Sequence, residues 1–139
     1  MPETILVVDD DVNTARITER MLTVRGYDVM TATDGTRALE LVAERRPDCI
    51  LLDIMMPRMS GLEVLNHLKH DPETAEIPVI LLTAKSQDED VLTGYREGAE
   101  YYITKPFTAQ ELLYGIGLVL ARSAPTATRA SPPLRGNPG

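Results

Sequence analysis

Five short apolar runs, at residues 5–8, 29–32, 49–52, 79–82 and 101–103, punctuate the chain. They recur at intervals of about 20–30 residues, the spacing of successive strand–helix units. The first, Ile5-Leu6-Val7-Val8, has no polar alternation and reads as a strand buried on both faces. Such a strand needs cover on both sides. The segments between the runs can supply it. Ile17, Met21 and Val24 fall at i, i+4 and i+7; Ala38, Leu39 and Val42 form a second helical stripe; Leu62, Leu65 and Leu68 form a third. The spacing predicts an α/β fold of the (βα)5 type. Its five-stranded parallel sheet is doubly wound, with helices on both faces and right-handed crossovers.

Local signals mark where the elements start and stop. Ser60 and Glu63, Ser86 and Glu89, and Thr108 and Glu111 each have capping-box spacing. Asp34 can cap the second helix. Gly26 and Gly98 stand where helices should stop, and Pro47 and Pro78 precede the third and fourth strands. After Arg122 the composition changes. Residues 123–139 are rich in Pro, Ala, Gly and Ser, contain no acid, and carry Arg129 and Arg135. The expectation is one domain over 1–122 and a disordered tail over 123–139. Cys49, the single cysteine, heads an apolar run and reads as core. The net charge of −7 argues against a nucleic-acid surface. No signal peptide or membrane-length apolar run is evident, so a soluble cytoplasmic domain without membrane insertion is expected.

Asp9, Asp10 and Asp11 follow directly on the first run. Like charges 4 Å apart cost about 4 kcal/mol per pair in a surface-like dielectric. A hard cation would offset that cost; a solvated acidic turn capping the next helix is the plainer reading. Ligands of an open parallel sheet bind outside the carboxyl ends of its strands. The first strand ends in Asp9 and Asp10, the third in Asp53, the fourth in Thr83 and the fifth in Lys105, followed by Pro106. Thr33, after the second, is set aside. Singly, each has a structural reading. Together they form a coherent set. Three carboxylates can hold Mg²⁺. A carboxylate can attack phosphorus and become an aspartyl phosphate. A lysine and the cation neutralise the phosphoryl oxygens, and a threonine hydroxyl can donate to one of them.

These residues bring out a family likeness. The chain resembles a response-regulator receiver domain, the phosphoacceptor half of bacterial two-component signalling. The likeness covers about residues 4–122. It is carried by Ile-Leu-Val-Val-Asp9-Asp10-Asp11, Leu-Leu-Asp53-Ile-Met-Met-Pro57-Arg-Met-Ser-Gly61, Leu-Leu-Thr83-Ala84-Lys85 and Gly98-Ala-Glu-Tyr-Tyr102-Ile-Thr-Lys105-Pro106-Phe107. It implies a flavodoxin-like sheet of order 2-1-3-4-5. It further implies that Asp53 accepts a phosphoryl group from a sensor histidine kinase or a histidine phosphotransfer protein. Asp10 and Asp53 would bind Mg²⁺ directly, Asp9 through a water, and the Met55 backbone carbonyl would be another ligand. Lys105 would contact the phosphoryl group from a loop with a cis bond to Pro106. Thr83 and Tyr102 would form the switch pair, the tyrosine turning inward. Asp11 would be a helix N-cap. The fourth helix, fifth strand and fifth helix would read the signal out to a downstream protein. Such a protein is a switch rather than an enzyme, catalysing only its own phosphorylation and dephosphorylation.

Some features depart from the family pattern. Many DNA-binding relatives dimerise through paired acids near the fifth strand and a basic residue in the fifth helix. Here Glu100-Tyr101 and Tyr114-Gly115-Ile116-Gly117 occupy that region, so a salt-bridged dimer of that kind is not expected. No effector domain follows, which suggests the stand-alone type. Residues 112–121 carry no charge, and a helix apolar all round is usually buried all round. Its outer face is expected to bind a partner or a second copy, as a homodimer through the fifth helix. Met55 and Lys85 lie two residues beyond Asp53 and Thr83. An apolar Met55 cannot position a water, so slow self-dephosphorylation is expected. His67 and His70 read as neither a metal site nor a relay histidine. The alternative function is a haloacid-dehalogenase-type phosphatase with Asp9 as nucleophile and Asp11 as its partner. The short chain, the missing cap and Asn13 argue against it. A docking module that is never phosphorylated is a third reading, which the complete pocket opposes.

Overall fold

The structure is a computed structural model that describes residues 2–84 and 88–122. The expectations for the tail at 123–139, for Lys85 and for the cap at Ser86 lie outside the described residues. Strands and helices alternate: β1 (Thr4–Val8), α1 (Val12–Thr23), β2 (Asp28–Ala32), α2 (Gly35–Glu44), β3 (Cys49–Asp53), α3 (Gly61–His70), β4 (Val79–Ala84), α4 (Asp88–Arg96), β5 (Tyr101–Lys105) and α5 (Ala109–Arg122). The strands form one parallel sheet in the order β2-β1-β3-β4-β5.

Alternation along the central strands divides the core into two layers. Leu6 and Val8 of β1 and Ile50 and Leu52 of β3 face α2 and α3. Ile5, Val7, Cys49 and Leu51 face α1 and α5. On the α2–α3 side α4 lies against β4 so closely that a Cβ on Gly94 would meet Leu81 Cδ1 at 2.1 Å. Burial keeps the Cys49 thiol well above its ordinary pKa, as expected of a core cysteine.

The sequence signals at element ends are realised. Ser60 Oγ accepts from the Glu63 N–H at 3.3 Å while Glu63 Oε1 accepts from the Ser60 N–H at 2.9 Å. Thr108 and Glu111 exchange the same two bonds at the start of α5. Gly26 and Gly98 have φ of 92° and 107°, the left-handed conformation a helix stop requires.

The uncharged α5 keeps an exposed outer face, as its place on one side of a five-stranded sheet implies. Leu112, Gly115, Ile116 and Val119 are buried, whereas Tyr114 keeps 64% of its surface exposed. Gly115 allows a close approach, because a Cβ there would lie 3.0 Å from the Tyr101 ring. At Gly117 a Cβ would meet nothing within 4 Å.

A partly buried ion pair stands at the opposite, amino-terminal edge of the sheet. Lys69 Nζ donates to the carbonyls of Ala75 and Ile77, both at 2.9 Å, and to Glu100 Oε2 at 3.0 Å. Glu100 Oε1 accepts from the Val79 N–H at 2.8 Å. This network ties the end of α3 to the starts of β4 and β5. Glu100 is therefore a structural anchor.

Candidate functional site

The register of the sheet brings the candidate residues to one edge. Val8 pairs with Leu52, so Asp9 and Asp53 leave adjacent strands at the same level. Ala84 pairs with Lys105, so the lysine rises beside the end of β4. Asp9, Asp10 and Asp53 each offer an oxygen, and these oxygens lie within 4.8 Å of one another.

Asp9 is 1% exposed. Its Oδ1 accepts from the Asp11 N–H at 3.0 Å, and its Oδ2 accepts from Lys105 Nζ at 3.0 Å. Asp53 is 8% exposed at its side chain; its Oδ2 accepts from Lys105 Nζ at 3.3 Å and its Oδ1 from the Met55 N–H at 3.2 Å. Asp10 is exposed at the rim. Lys105 therefore bridges the two buried carboxylates from a peptide that is cis to Pro106.

Burial pushes the Asp53 carboxyl up to about 6; the Lys105 charge opposes this, and the neighbouring Asp9 adds to it. Burial also works against the Lys105 charge, but the Asp9 hydrogen bond and the Asp53 charge outweigh it and hold the ammonium above its ordinary pKa. Among the described residues three carboxylates face one ammonium, which leaves negative charge unbalanced in a largely buried place. Hard oxygen donors of that charge and spacing suit Mg²⁺. Asp53 has a raised basicity and a neighbouring cation, the conditions under which a carboxylate attacks phosphorus.

Asp11 stands apart from the cluster. Its Oδ1 caps α1, accepting from the N–H groups of Asn13 at 3.0 Å and Thr14 at 3.3 Å, and the bonds from Thr14 lower its carboxyl pKa. The pairing of Asp9 with Asp11 that a haloacid-dehalogenase-type site would need is thus taken up by a helix cap. Met55 keeps its backbone at the site through its N–H, while its side chain is 63% exposed.

Thr83 is buried at the end of β4 and its hydroxyl donates to the Ala84 carbonyl at 3.1 Å. Tyr102 does not join the carboxylates. It is 39% exposed and sits edge-on to Tyr95 of α4, ring centres 5.7 Å apart. His67 and His70 lie in the groove between α2 and α3, and among the described residues neither joins a cluster of metal-ligating groups.

Gly61 is a residue whose part in the site was missed from sequence, although it ends the Asp53 motif. Its N–H donates to the Ile54 carbonyl at 2.9 Å, and a Cβ would fall 2.1 Å from the Asp53 carbonyl oxygen. The start of α3 is thereby pressed against the backbone that carries Asp53. The signal was a glycine directly after a helix N-cap, where a side chain is ordinarily tolerated.

The sequence pattern of the response regulator receiver domain matches residues 5–116. The response regulator MprA of Mycobacterium sp. (strain KMS) is 41% identical over 134 residues, which cover 96% of this chain and 57% of that protein. The phosphate regulon transcriptional regulatory protein PhoB of Pseudomonas aeruginosa is 39% identical over 128 residues, covering 92% and 56%. The chain thus spans little more than half the length of these relatives. Among solved structures, a putative response regulator from Chloroflexus aurantiacus superposes with a TM-score of 0.84 at 34% identity, covering 88% of this chain and all of that one. Chemotaxis protein CheY4 of Vibrio cholerae gives 0.82 at 30% identity, covering 86% and 99%.

Proposed function

We infer the function from one premise: the chain belongs to the response regulator receiver domain family. Domains of this family are generally signalling switches rather than enzymes, and they work with histidine kinases. The acidic pocket of Asp9, Asp10 and Asp53 is consistent with a phosphoacceptor. The finer reading is that Asp53 takes a phosphoryl group from the phosphohistidine of a kinase or a phosphotransfer protein. One Asp53 oxygen forms the new bond to phosphorus as the nitrogen–phosphorus bond breaks, and the histidine leaves as imidazole. The observation that carries this reading is the bridging of Asp9 and Asp53 by Lys105 at 3.0 and 3.3 Å. An ammonium there stands beside the nucleophilic oxygen and can follow the charge onto the phosphoryl group.

Asp10 and Asp53 would hold Mg²⁺ directly, with Asp9 acting through a water and the Met55 carbonyl completing the protein ligands. Bound there, the ion would supply positive charge to the phosphoryl oxygens. The Thr83 hydroxyl would exchange its bond to Ala84 for one to a phosphoryl oxygen. That leaves room for Tyr102 to turn inward from its contact with Tyr95. The phosphoryl group would bias an existing equilibrium between two arrangements of α4, β5 and α5, and a downstream protein would bind one of them. The exposed, apolar Met55 favours slow loss of the phosphoryl group, measurable as its lifetime.

Acetyl phosphate tests the reading without knowledge of the kinase. With Mg²⁺, the wild-type intact mass should rise by one phosphoryl group, and chelation of Mg²⁺ should abolish the rise. Asp53→Asn and Asp53→Ala should show none. An unchanged rise in both variants would refute Asp53 as acceptor.

A further inference from the structure

Three of the chain's six methionines, Met55, Met56 and Met59, lie on the loop that follows Asp53. They differ in access. Met56 is buried in the core. Met59 is half-buried, its sulfur so close to the start of α2 that a Cβ on Gly35 would meet it at 2.8 Å. Met21 and Met30 are half-buried against the two core layers. Among the described methionines only Met55 stands largely in solvent, 63% exposed. The Cys49 thiol, a competing target for oxidants, is fully buried and held protonated by that burial.

Position gives the Met55 sulfur a consequence. The Met55 N–H donates to Asp53 Oδ1 at 3.2 Å, so its side chain leaves the backbone at the edge of the carboxylate pocket. That side chain is unbranched and turns about three bonds.

We propose that Met55 is a redox modification site: a peroxide converts its thioether to the sulfoxide, and the sulfoxide shortens the life of a phosphoryl group on Asp53. The second half rests on Asp53 being the phosphoacceptor.

The oxygen transfer balances. A sulfur lone pair attacks the outer oxygen of the peroxide and the O–O bond breaks. The departing hydroxide takes the proton from the transferred oxygen and leaves as water. Sulfur is oxidised, and the peroxide reduced, by one electron pair. A thioether is a weak hydrogen-bond acceptor and gives a nearby water no anchor. The sulfoxide is polar, and its oxygen accepts hydrogen bonds. A water that donates to it keeps its own lone pairs free to attack phosphorus. The bond from phosphorus to the Asp53 oxygen then breaks, releasing inorganic phosphate and the free carboxylate. Oxidation of this one exposed side chain thus supplies the polar group that the apolar Met55 lacks.

Hydrogen peroxide on the full chain, followed by acetyl phosphate with Mg²⁺, tests the proposal by intact mass and peptide mapping. Met55 should take up oxygen before Met21, Met30, Met56 and Met59. Once acetyl phosphate is removed, the singly oxidised species should lose its phosphoryl group about tenfold faster than the unoxidised one in the same sample, a modest part of what a positioned general base supplies. Met55→Leu treated in the same way should keep its own untreated lifetime. Untreated Met55→Gln, whose amide oxygen is a permanent acceptor, should show a short one. Oxygen taken up first at another of these methionines, an unchanged lifetime after Met55 oxidation, an equal shortening in Met55→Leu, or a long lifetime in Met55→Gln would each overturn this proposal alone. Failure of the unoxidised protein to take up a phosphoryl group would instead remove the phosphoacceptor reading, and this proposal with it.

Discussion

At the residue scale, Asp53 is at once a carboxyl that burial pushes toward its protonated form and the proposed reactive group. Its pKa of about 6 lies above the ordinary value of 3.8. The folded state therefore holds the proton more tightly than the unfolded chain. That stabilisation is fully present below about pH 4 and is lost as pH rises through about 6. The corresponding loss is on the order of 1–3 kcal/mol at neutral pH. In chelator, Asp53→Asn should be more stable than wild type by that amount at pH 7.5, with the gap closing near pH 4.5. Urea unfolding at both values measures it. Lys105 has a second consequence, since its ammonium repels any cation brought to the oxygens it holds. Lys105→Met should bind Mg²⁺ more tightly yet accept phosphoryl groups far more slowly, by roughly 10²-fold or more, as for loss of a single charge-stabilising donor. Titration calorimetry and intact-mass kinetics would separate the two effects. Asp9, Asp10, Asp53, Thr83 and Lys105 were legible from sequence because each ends an apolar run. Gly61 was not, because its reason is the Asp53 carbonyl at 2.1 Å from its missing Cβ, a contact made only by the folded loop. Gly61→Ala should destabilise the domain by about 1–3 kcal/mol, as overpacking does, and displace the Asp53 backbone. Thermal unfolding and the Mg²⁺ affinity report on both.

At the scale of elements, the strands and most helix ends were readable because their causes are local. Apolar runs, cap residues and positive-φ glycines act within a few positions. Ser60 with Glu63 and Thr108 with Glu111 need no tertiary context to be recognised. The Lys69–Glu100 pair could not be read, since its partners are 31 residues apart and meet only when α3 closes against β5. The two sides of α5 could be read in outline: a charge-free helix on one side of a five-stranded sheet buries only its inner face, and Tyr114 stays in solvent. Lys69→Met leaves the Glu100 carboxylate without its charged partner and should cost about 3 kcal/mol, with much of that regained in Lys69→Met/Glu100→Gln. Because the pair sits at the edge opposite Asp53, Mg²⁺ affinity should stay near the wild-type value in both. Urea midpoints and Mg²⁺ titrations of the two variants check this.

At the scale of the molecule, strand order converts separated residues into a site. β1 and β3 are neighbours at the centre of the sheet, so Asp9 and Asp53 leave it side by side although 44 positions separate them. β4 and β5 then carry Thr83 and Lys105 to the same edge. Parallel pairing could be inferred from alternating units, whereas the order 2-1-3-4-5 came from family likeness and then from the structure. The excess of acid at this edge suits a divalent cation. Mg²⁺ at 100 times its dissociation constant should stabilise the domain by about 2.7 kcal/mol, and Asp53→Asn should lose most of that gain. The central claim is that the phosphoryl group goes to Asp53 and not to the acidic pair that prepares the site. Borohydride reduction after treatment with acetyl phosphate and Mg²⁺, followed by peptide mapping, tests it most directly, because an acyl phosphate is reduced to the alcohol where it stood. The account predicts homoserine at position 53 and aspartate at positions 9 and 10. Homoserine at position 9, or at neither strand end, would contradict it.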